Sequence, residues 1–336
     1  MIDRKRCLLL YVFASAVAGS AITFFVFATL IKCNKIELKD KEQANTCNYT
    51  VMRLNGYKYI HPLLWVEPEC EADKYAKIKA DIAQYIKEEQ DKDSLISASV
   101  YLRDFKMGDW MAINGNERYD PGSLLKVAVL ITYLKMTESD PDLLDKEWEY
   151  KGLKGVNLPV EHYRSDTIVA GRRYKVRELL RYMITYSDNY ATIFLENNIN
   201  VATFSKVFTD MGMTKPDFTD PHYKLTVKEY STLFKALYNA AYLDIPSSEY
   251  ATSLLTESKF YEGLVKELPS TVTAAHKFGE SGDQFSSQLH ESGIIYIENS
   301  PYLLSVMTHG INWDKQAKVI SHISRMVFDK MASQDE

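Results

Sequence analysis

Residues 7–31 form an unbroken apolar run with no charged side chain, and at about 1.5 Å per residue a helix of that length covers the roughly 30 Å hydrocarbon core of a bilayer. Residues 34 to about 50 are polar and aperiodic. From Glu71 to Lys92, the positions Tyr75, Ile78, Ile82, Tyr85 and Ile86 recur at helical spacing and predict an amphipathic helix. Residues 96–103 and 109–114 are short, β-prone and separated by Lys106-Met107-Gly108, which predicts a hairpin. After Pro121 and Gly122 a helix is predicted to begin at Ser123; Leu124, Leu125, Val127, Ala128, Leu130, Ile131 and Leu134 make it apolar nearly all round and place it centrally. The middle of the chain is mostly helical in pattern, most clearly over 176–185, 191–197 and 226–242. Strand patterns return at 272–278, 293–297 and 302–308, followed by a helix from about 315 to 331. Strands at both ends with helices between them predict an α/β (α+β) fold. Its antiparallel sheet would be built from both chain ends and flanked by helices, with an inserted all-helical subdomain and an N-terminal transmembrane helix.

The first apolar run also has small residues, Ala14-Ser15-Ala16, that would suit a signal peptidase. It continues through Phe24-Phe25-Val26-Phe27, past an ordinary signal segment, so a retained anchor is the expectation. Arg4, Lys5 and Arg6 precede the span and Lys32, Lys35, Lys39 and Lys41 follow it, so the charge count does not set its orientation. An uncleaved first segment usually leaves a long C-terminal domain outside. The expected organisation is a cytoplasmic tail at 1–6, a single-pass anchor at 7–32, an extracytoplasmic stalk at 33–70 and a globular domain at 71–334.

Composition narrows the function. With 336 residues, 46% apolar and 25% charged, the chain is globular for most of its length, and a net charge of −5 supplies no basic footprint for nucleic acid. The four cysteines, Cys7, Cys33, Cys47 and Cys70, all precede the domain core and do no catalysis. Cys47 and Cys70 could close a disulfide outside the cytoplasm. No Cys/His cluster points to zinc, and His162, His222, His276 and His290 stand at no metal-ligand spacing, so neither metal nor cofactor is expected.

The candidate chemistry lies in three short motifs. Ser123-Leu124-Leu125-Lys126 puts a hydroxyl and an amine one helical turn apart on one face, and the apolar neighbours Leu125, Val127 and Val129 imply burial that favours a neutral amine. Alone, this spacing also fits an N-cap serine followed by a surface lysine. Ser187-Asp188-Asn189 falls at a junction between helices, where the same residues serve as ordinary caps. His276-Lys277-Phe278-Gly279 ends a strand and runs into Glu280.

In this order the motifs YDPGSLLKVAVLITYLK, MITYSDNYATIFLENNI and AAHKFGE resemble those of the class A β-lactamase and penicillin-binding family of active-site serine enzymes. The resemblance covers roughly residues 73–332. It implies that Ser123 is the nucleophile and Lys126 its activating base, that Ser187 relays a proton to the leaving nitrogen, and that Asn189 holds the substrate's amide side chain. Lys277 would supply positive potential, and the backbone N–H groups of Ser123 and Glu280, the latter following Gly279, would form the oxyanion hole. The implied substrate is a β-lactam or related small-molecule amide, or a cell-wall peptide met near the membrane; the readings are a lactamase, a penicillin-binding-type peptidase or transpeptidase, or an inactive binding protein of the same fold. Two departures stand out. Phe278 occupies the place where the family has Thr or Ser, and no Glu-x-x-Leu-Asn appears between Asn189 and the helix near Thr226. Glu196 reads as an exposed surface charge, and Asp217 and Asp220, beside Pro216 and Pro221, as turn formers. If no carboxylate, Asp217 and Asp220 included, replaces that base, a long-lived acyl-enzyme is the consequence.

Overall fold

The computed structural model describes residues 47–93, 95–153, 158, 161–163, 166–216, 223–283, 285–298 and 300–333. The chain divides into two units, Met1–Asn48 and Tyr49–Glu336. The expected tail at 1–6 and anchor at 7–32 lie outside the described residues, as do Asp217, Asp220 and His222. Among the described residues no helix is long and apolar enough to cross a membrane. Cys47 and Cys70 are both disulfide-bonded.

Part of the expected stalk folds with the body of the second unit. β1 (Tyr49–Arg53) pairs antiparallel with β2 (Leu63–Pro68). Leu54 and Leu64 are buried in the main core. Glu67 meets Lys235 at 2.9 Å and Arg103 at 3.1 Å, and Trp110 Nε1 donates to the Pro68 carbonyl at 2.6 Å. These contacts, few and far apart in sequence, carry no local periodicity. α1 (Ala76–Asp91) buries Ile78, Ile82 and Ile86, the stripe its spacing predicts.

The central sheet contains β3 (Ser97–Asp104) and β4 (Trp110–Ile113) from the early chain. Small ladders flank the helical middle: β5 (Arg118–Tyr119) meets a strand at Leu225–Thr226, and β6 (Glu147–Tyr150) pairs with β7 (Arg172–Lys175). The inserted helices are α2 (Lys126–Met136), α3 (Val176–Thr185), α4 (Asn189–Glu196), α5 (Val201–Asp210), then, after β8 (Leu225–Thr226), α6 (Val227–Tyr238) and α7 (Ile245–Thr256). β9 (Thr273–Gly282), β10 (Ser287–Tyr296) and β11 (Tyr302–Gly310) complete the sheet, and α8 (Trp313–Ala332) follows. The sheet order is β4-β3-β11-β10-β9, antiparallel throughout, so the two ends of the domain meet where β3 lies against β11.

Alternation along the strands feeds two cores. Tyr101, Ile294 and Leu303 face the helical insert, while Leu102, Ile295 and Leu304 face α1 and α8. In α2 every residue from Lys126 to Leu134 is buried, and each large apolar side chain so placed contributes about 1.5–3 kcal/mol. Strand β10 is longer than its apolar pattern suggests because His290, Glu291 and Ser292, polar on paper, are fully buried and satisfied inside the sheet.

Candidate active site

Ser123 lies in a 3₁₀ turn, Gly122–Leu125, and α2 begins only at Lys126. The expected α-helical start at Ser123 is corrected accordingly, but three residues per turn still bring positions 123 and 126 to one side. The turn is fixed from several directions. Asp120 Oδ1 accepts from Gly122 N at 3.0 Å, the Pro121 carbonyl accepts from Leu124 N at 3.0 Å, and Tyr230 donates to the Leu124 carbonyl at 3.0 Å. His290 Nδ1 accepts from Thr308 N at 3.1 Å, so its proton sits on Nε2, which donates to the Asp120 carbonyl at 2.9 Å. Burial pushes this imidazole down to about 4, keeping it neutral.

The turn abuts strand β9 backbone to backbone. Gly122 has φ 49°, and a Cβ there would come within 2.3 Å of the Glu280 carbonyl oxygen. A Cβ on Gly279 would stand 2.6 Å from the Pro121 carbonyl and 2.7 Å from Leu124 N. Only glycine permits this approach, which brings the Ser123 turn beside the Gly279-Glu280 backbone.

Opposite the turn, Ser187 has φ 56°, a left-handed conformation costing about 1–3 kcal/mol in a residue with a side chain. Asp188 holds the loop: its carboxylate accepts from Thr167 Oγ1 at 2.7 Å, Ile168 N at 2.9 Å and Tyr190 N at 2.9 Å. The resulting turn aims both the carbonyl and the hydroxyl of Ser187 at Lys126. Lys126 Nζ donates to Ser187 O at 2.5 Å, to Ser187 Oγ at 3.1 Å and to Asn189 Oδ1 at 2.7 Å. From the other side, Lys277 Nζ donates to Ser187 Oγ at 2.8 Å and to the Phe278 carbonyl at 2.7 Å. A hydroxyl that accepts from two amines keeps its own proton for a third partner.

Both amines are out of water. Desolvation lowers Lys126 to about 8, against the pull of Glu161, Asp188, Glu196 and Glu280. Lys277 is fully buried and lowered well below an ordinary lysine, first by desolvation and then by the neighbouring Lys126 charge. Two ammonium groups sharing one hydroxyl in a buried site repel each other, so the pair favours at least one neutral member.

The structure therefore joins Lys126, Ser187, Asn189 and Lys277 in one hydrogen-bonded network and sets Gly279 and Glu280 against the Ser123 turn. Among the described residues, Lys126 Nζ makes no hydrogen bond to the Ser123 hydroxyl; its partners are Ser187 and Asn189. Phe278 is buried, its ring 4.2 Å from Lys277 Nζ and stacked on Phe260 at 4.2 Å, with the edge of Tyr163 completing an aromatic cluster. The lysine thus meets apolar carbon where a Thr or Ser side chain would offer a hydroxyl. Glu196 keeps surface exposure, but it is more than the surface charge its helical position predicts: desolvation raises its carboxyl and its charge acts on Lys126.

Sequence reasoning missed the roof of the site. His162 N and Tyr163 N donate to the Glu280 carboxylate at 2.8 and 3.2 Å, and His162 Nε2 and Tyr163 Oη reach Asp314 Oδ1 at 2.9 and 3.2 Å. No local pattern links residue 162 to 280 or 314. The supporting role of His290 was likewise hidden, since a lone histidine in a strand carries no periodic signal.

A buried lysine pair thus shares a serine hydroxyl beside a serine turn that abuts the edge strand of a five-stranded sheet. Residues 77–331 match the β-lactamase enzyme family, and the chain belongs to it. Among solved structures it resembles a β-lactamase from Chitinophaga pinensis, with 20% identity and a TM-score of 0.64 over 74% of this chain and 98% of that one. It also resembles a mutant of PBP-A in an acyl-enzyme complex with penicillin G, with 19% identity and a TM-score of 0.65 over 77% and 97% of the two chains. A β-lactamase from Sphaerobacter thermophilus matches at 15% identity and a TM-score of 0.63, over 77% and 98%. These likenesses concern the fold. No curated protein matches the chain.

Proposed function

We propose that the protein forms an acyl-enzyme on Ser123 with β-lactam or related amide substrates and releases the acyl group slowly. The observation that carries this reading is the Ser187 hydroxyl held between the desolvated amines of Lys126 and Lys277, at 3.1 and 2.8 Å. Neutral Lys126 takes the Ser123 proton as Oγ attacks the carbonyl carbon. The backbone N–H groups of Ser123 and Glu280 receive the oxyanion, and donors of this kind are worth roughly 10²–10³ in rate. Ser187 passes its proton to the leaving nitrogen and is reprotonated from Lys126. Asn189 binds the substrate's amide side chain, and Lys277 supplies positive potential. A mutant of PBP-A, which shares the fold, is captured as an acyl-enzyme with penicillin G, and that precedent supports the same covalent step here.

Slow release follows from the site's contents. Among the described residues no glutamate stands in the Glu-x-x-Leu-Asn setting that supplies the deacylation base in class A enzymes. The missing glutamate also favours a second reading, a penicillin-binding-type peptidase or transpeptidase acting on cell-wall peptide, while the aromatic cluster at Phe278, which removes the hydroxyl expected to bind a substrate carboxylate, is the argument for an inactive binding protein. An inactive binding protein is disfavoured by the intact, desolvated lysine pair. The disulfide-bonded Cys47 and Cys70 support an oxidising compartment, consistent with the anchor at 7–32 holding the domain outside the cytoplasm.

Incubation with a chromogenic cephalosporin and a labelled penicillin, followed by product absorbance and protein mass, tests these readings. Multiple turnovers mark a lactamase. A stable adduct lost in Ser123→Ala marks the peptidase-like enzyme. No adduct under any condition refutes covalent catalysis.

A further inference from the structure

We propose that a cavity behind strand β9, separate from the serine site, binds a small uncharged phenol whose hydroxyl donates to His276 Nε2. The cavity has a volume of about 600 Å³, within the range of roughly 300–1,000 Å³ usual for small-molecule sites. Its lining comes from the end of α7, from the segment that follows and from the first residues of β9, and includes neither Lys126 nor Ser187 nor Lys277. Adjacent positions on β9 divide the two sites: Lys277 donates to Ser187, while His276 lines the cavity. This inference goes beyond the acyl-enzyme reading and does not depend on it.

His276 is 3% exposed, and its ring is held in place. Nδ1 lies 2.6 Å from Glu291 Oε1, and the other oxygen of that carboxylate accepts from Leu264 N at 2.6 Å. A Cβ on Gly263 would overlap the same oxygen, so only glycine lets the segment after α7 close over Glu291 and form the cavity wall. A carboxylate accepts and does not donate, so the imidazole proton belongs on Nδ1 and the neutral ring keeps a lone pair on Nε2. Among the described residues Nε2 has no hydrogen-bond partner. Buried acceptors are ordinarily satisfied, and a donor inside the cavity would satisfy this one.

The rest of the lining defines the body of the ligand. Val265, Leu268, Val272 and Ala274 contribute aliphatic carbon, and Tyr261 offers a ring against which an aromatic body can pack. The charged side chains call for no counter-ion. Glu257 pairs with Arg181 at 2.6 Å and Lys266 with Glu262 at 2.9 Å, while Lys259 is exposed to solvent. A flat apolar molecule with one hydroxyl matches this combination.

The probe is 2-naphthol, and the comparator is 2-methoxynaphthalene, which keeps both rings and loses the donor. Equilibrium dialysis against the detergent-solubilised full-length chain measures each, beside His276→Asn and Val265→Trp. In His276→Asn the amide N–H replaces the Nδ1–H bond to Glu291 and Nε2 is gone; in Val265→Trp the indole fills the cavity. The expected result is one saturable 2-naphthol site per chain, with affinity about tenfold lower for the methyl ether and for His276→Asn, and loss of the site in Val265→Trp. No saturable binding to the wild-type chain overturns the proposal. So does equal affinity for the two naphthalenes, a comparison that needs no variant to fold. Binding that survives Val265→Trp puts the ligand elsewhere and overturns it as well.

Discussion

The pH dependence of acylation probes the buried amine of Lys126 directly. An exposed lysine near 10.5 is only ~0.03% neutral at pH 7, whereas one lowered to about 8 is roughly one-tenth neutral, a gain of about 300-fold in competent base. Between pH 7 and pH 9 the neutral fraction rises about tenfold, and the second-order rate of adduct formation should rise with it. Lys126→Arg, which cannot deprotonate, should lose at least ~10³ in that rate while keeping the fold. The same burial has a thermodynamic signature. Because the folded amine titrates below the unfolded one, the unfolded chain binds more protons between pH 8 and 10.5, and stability should rise with pH across that window. At pH 7 the charged form costs about 3 kcal/mol of stability. Lys126→Met removes that cost but forfeits bonds to Ser187 and Asn189 worth about 1–2 kcal/mol. The variant should therefore be inactive and more stable by about 1 kcal/mol, read as a raised Tm at pH 7 that disappears by pH 10. Stopped-flow adduct formation and thermal unfolding measure the two halves. A flat acylation profile from pH 6.5 to 9.5, or a Met variant equally destabilised at every pH, would refute the reasoning.

Three further substitutions bear on separate parts of the site. Gly279→Ala should cut adduct formation by about 100-fold, since the new methyl meets backbone atoms that cannot yield cheaply and displaces the nucleophile turn; an unchanged rate would show that the turn and β9 tolerate separation. Phe278→Thr should lose about 3 kcal/mol in chemical denaturation through the broken stack on Phe260, yet react faster with lactams bearing a free carboxylate than with their methyl esters; equal ratios in both proteins would discount the aromatic cluster as a specificity element. Asp188→Ala should cost about 2–4 kcal/mol and abolish the adduct, because the left-handed Ser187 loses its restraint; a stable, fully acylating variant would assign the loop geometry to other contacts.

What the chain discloses in one dimension follows from how local each signal is. Strands β3 and β9, the buried helix α2 and the terminal helix α8 are set by side-chain period, and their positions are readable to within a few residues. Ser123, Lys126, Ser187, Asn189 and Lys277 are each flanked by recognisable motifs, and four of them share one hydrogen-bonded network. The hairpin at 49–68 was obscured because it depends on Glu67, Lys235 and Trp110, which are far apart in sequence. Strand β10 was shortened on paper because polarity is no guide where His290 and Glu291 are buried and paired. The 3₁₀ start of the Ser123 helix arises from the close approach of β9, a tertiary constraint that overrides helix propensity.

The central sheet also dictates when the enzyme can become active. Tyr302 lies opposite Asp104, a separation of nearly 200 positions, and long-range pairings of this kind raise contact order and delay folding. Strand β11 arrives near the end of the chain, as does β10, whose His290 anchors the Asp120 carbonyl beside the nucleophile turn. A partly synthesised polypeptide that ends before β10 would therefore carry all three motifs while leaving the serine turn without its support. The serine turn would then reach its final shape only with the closing strands.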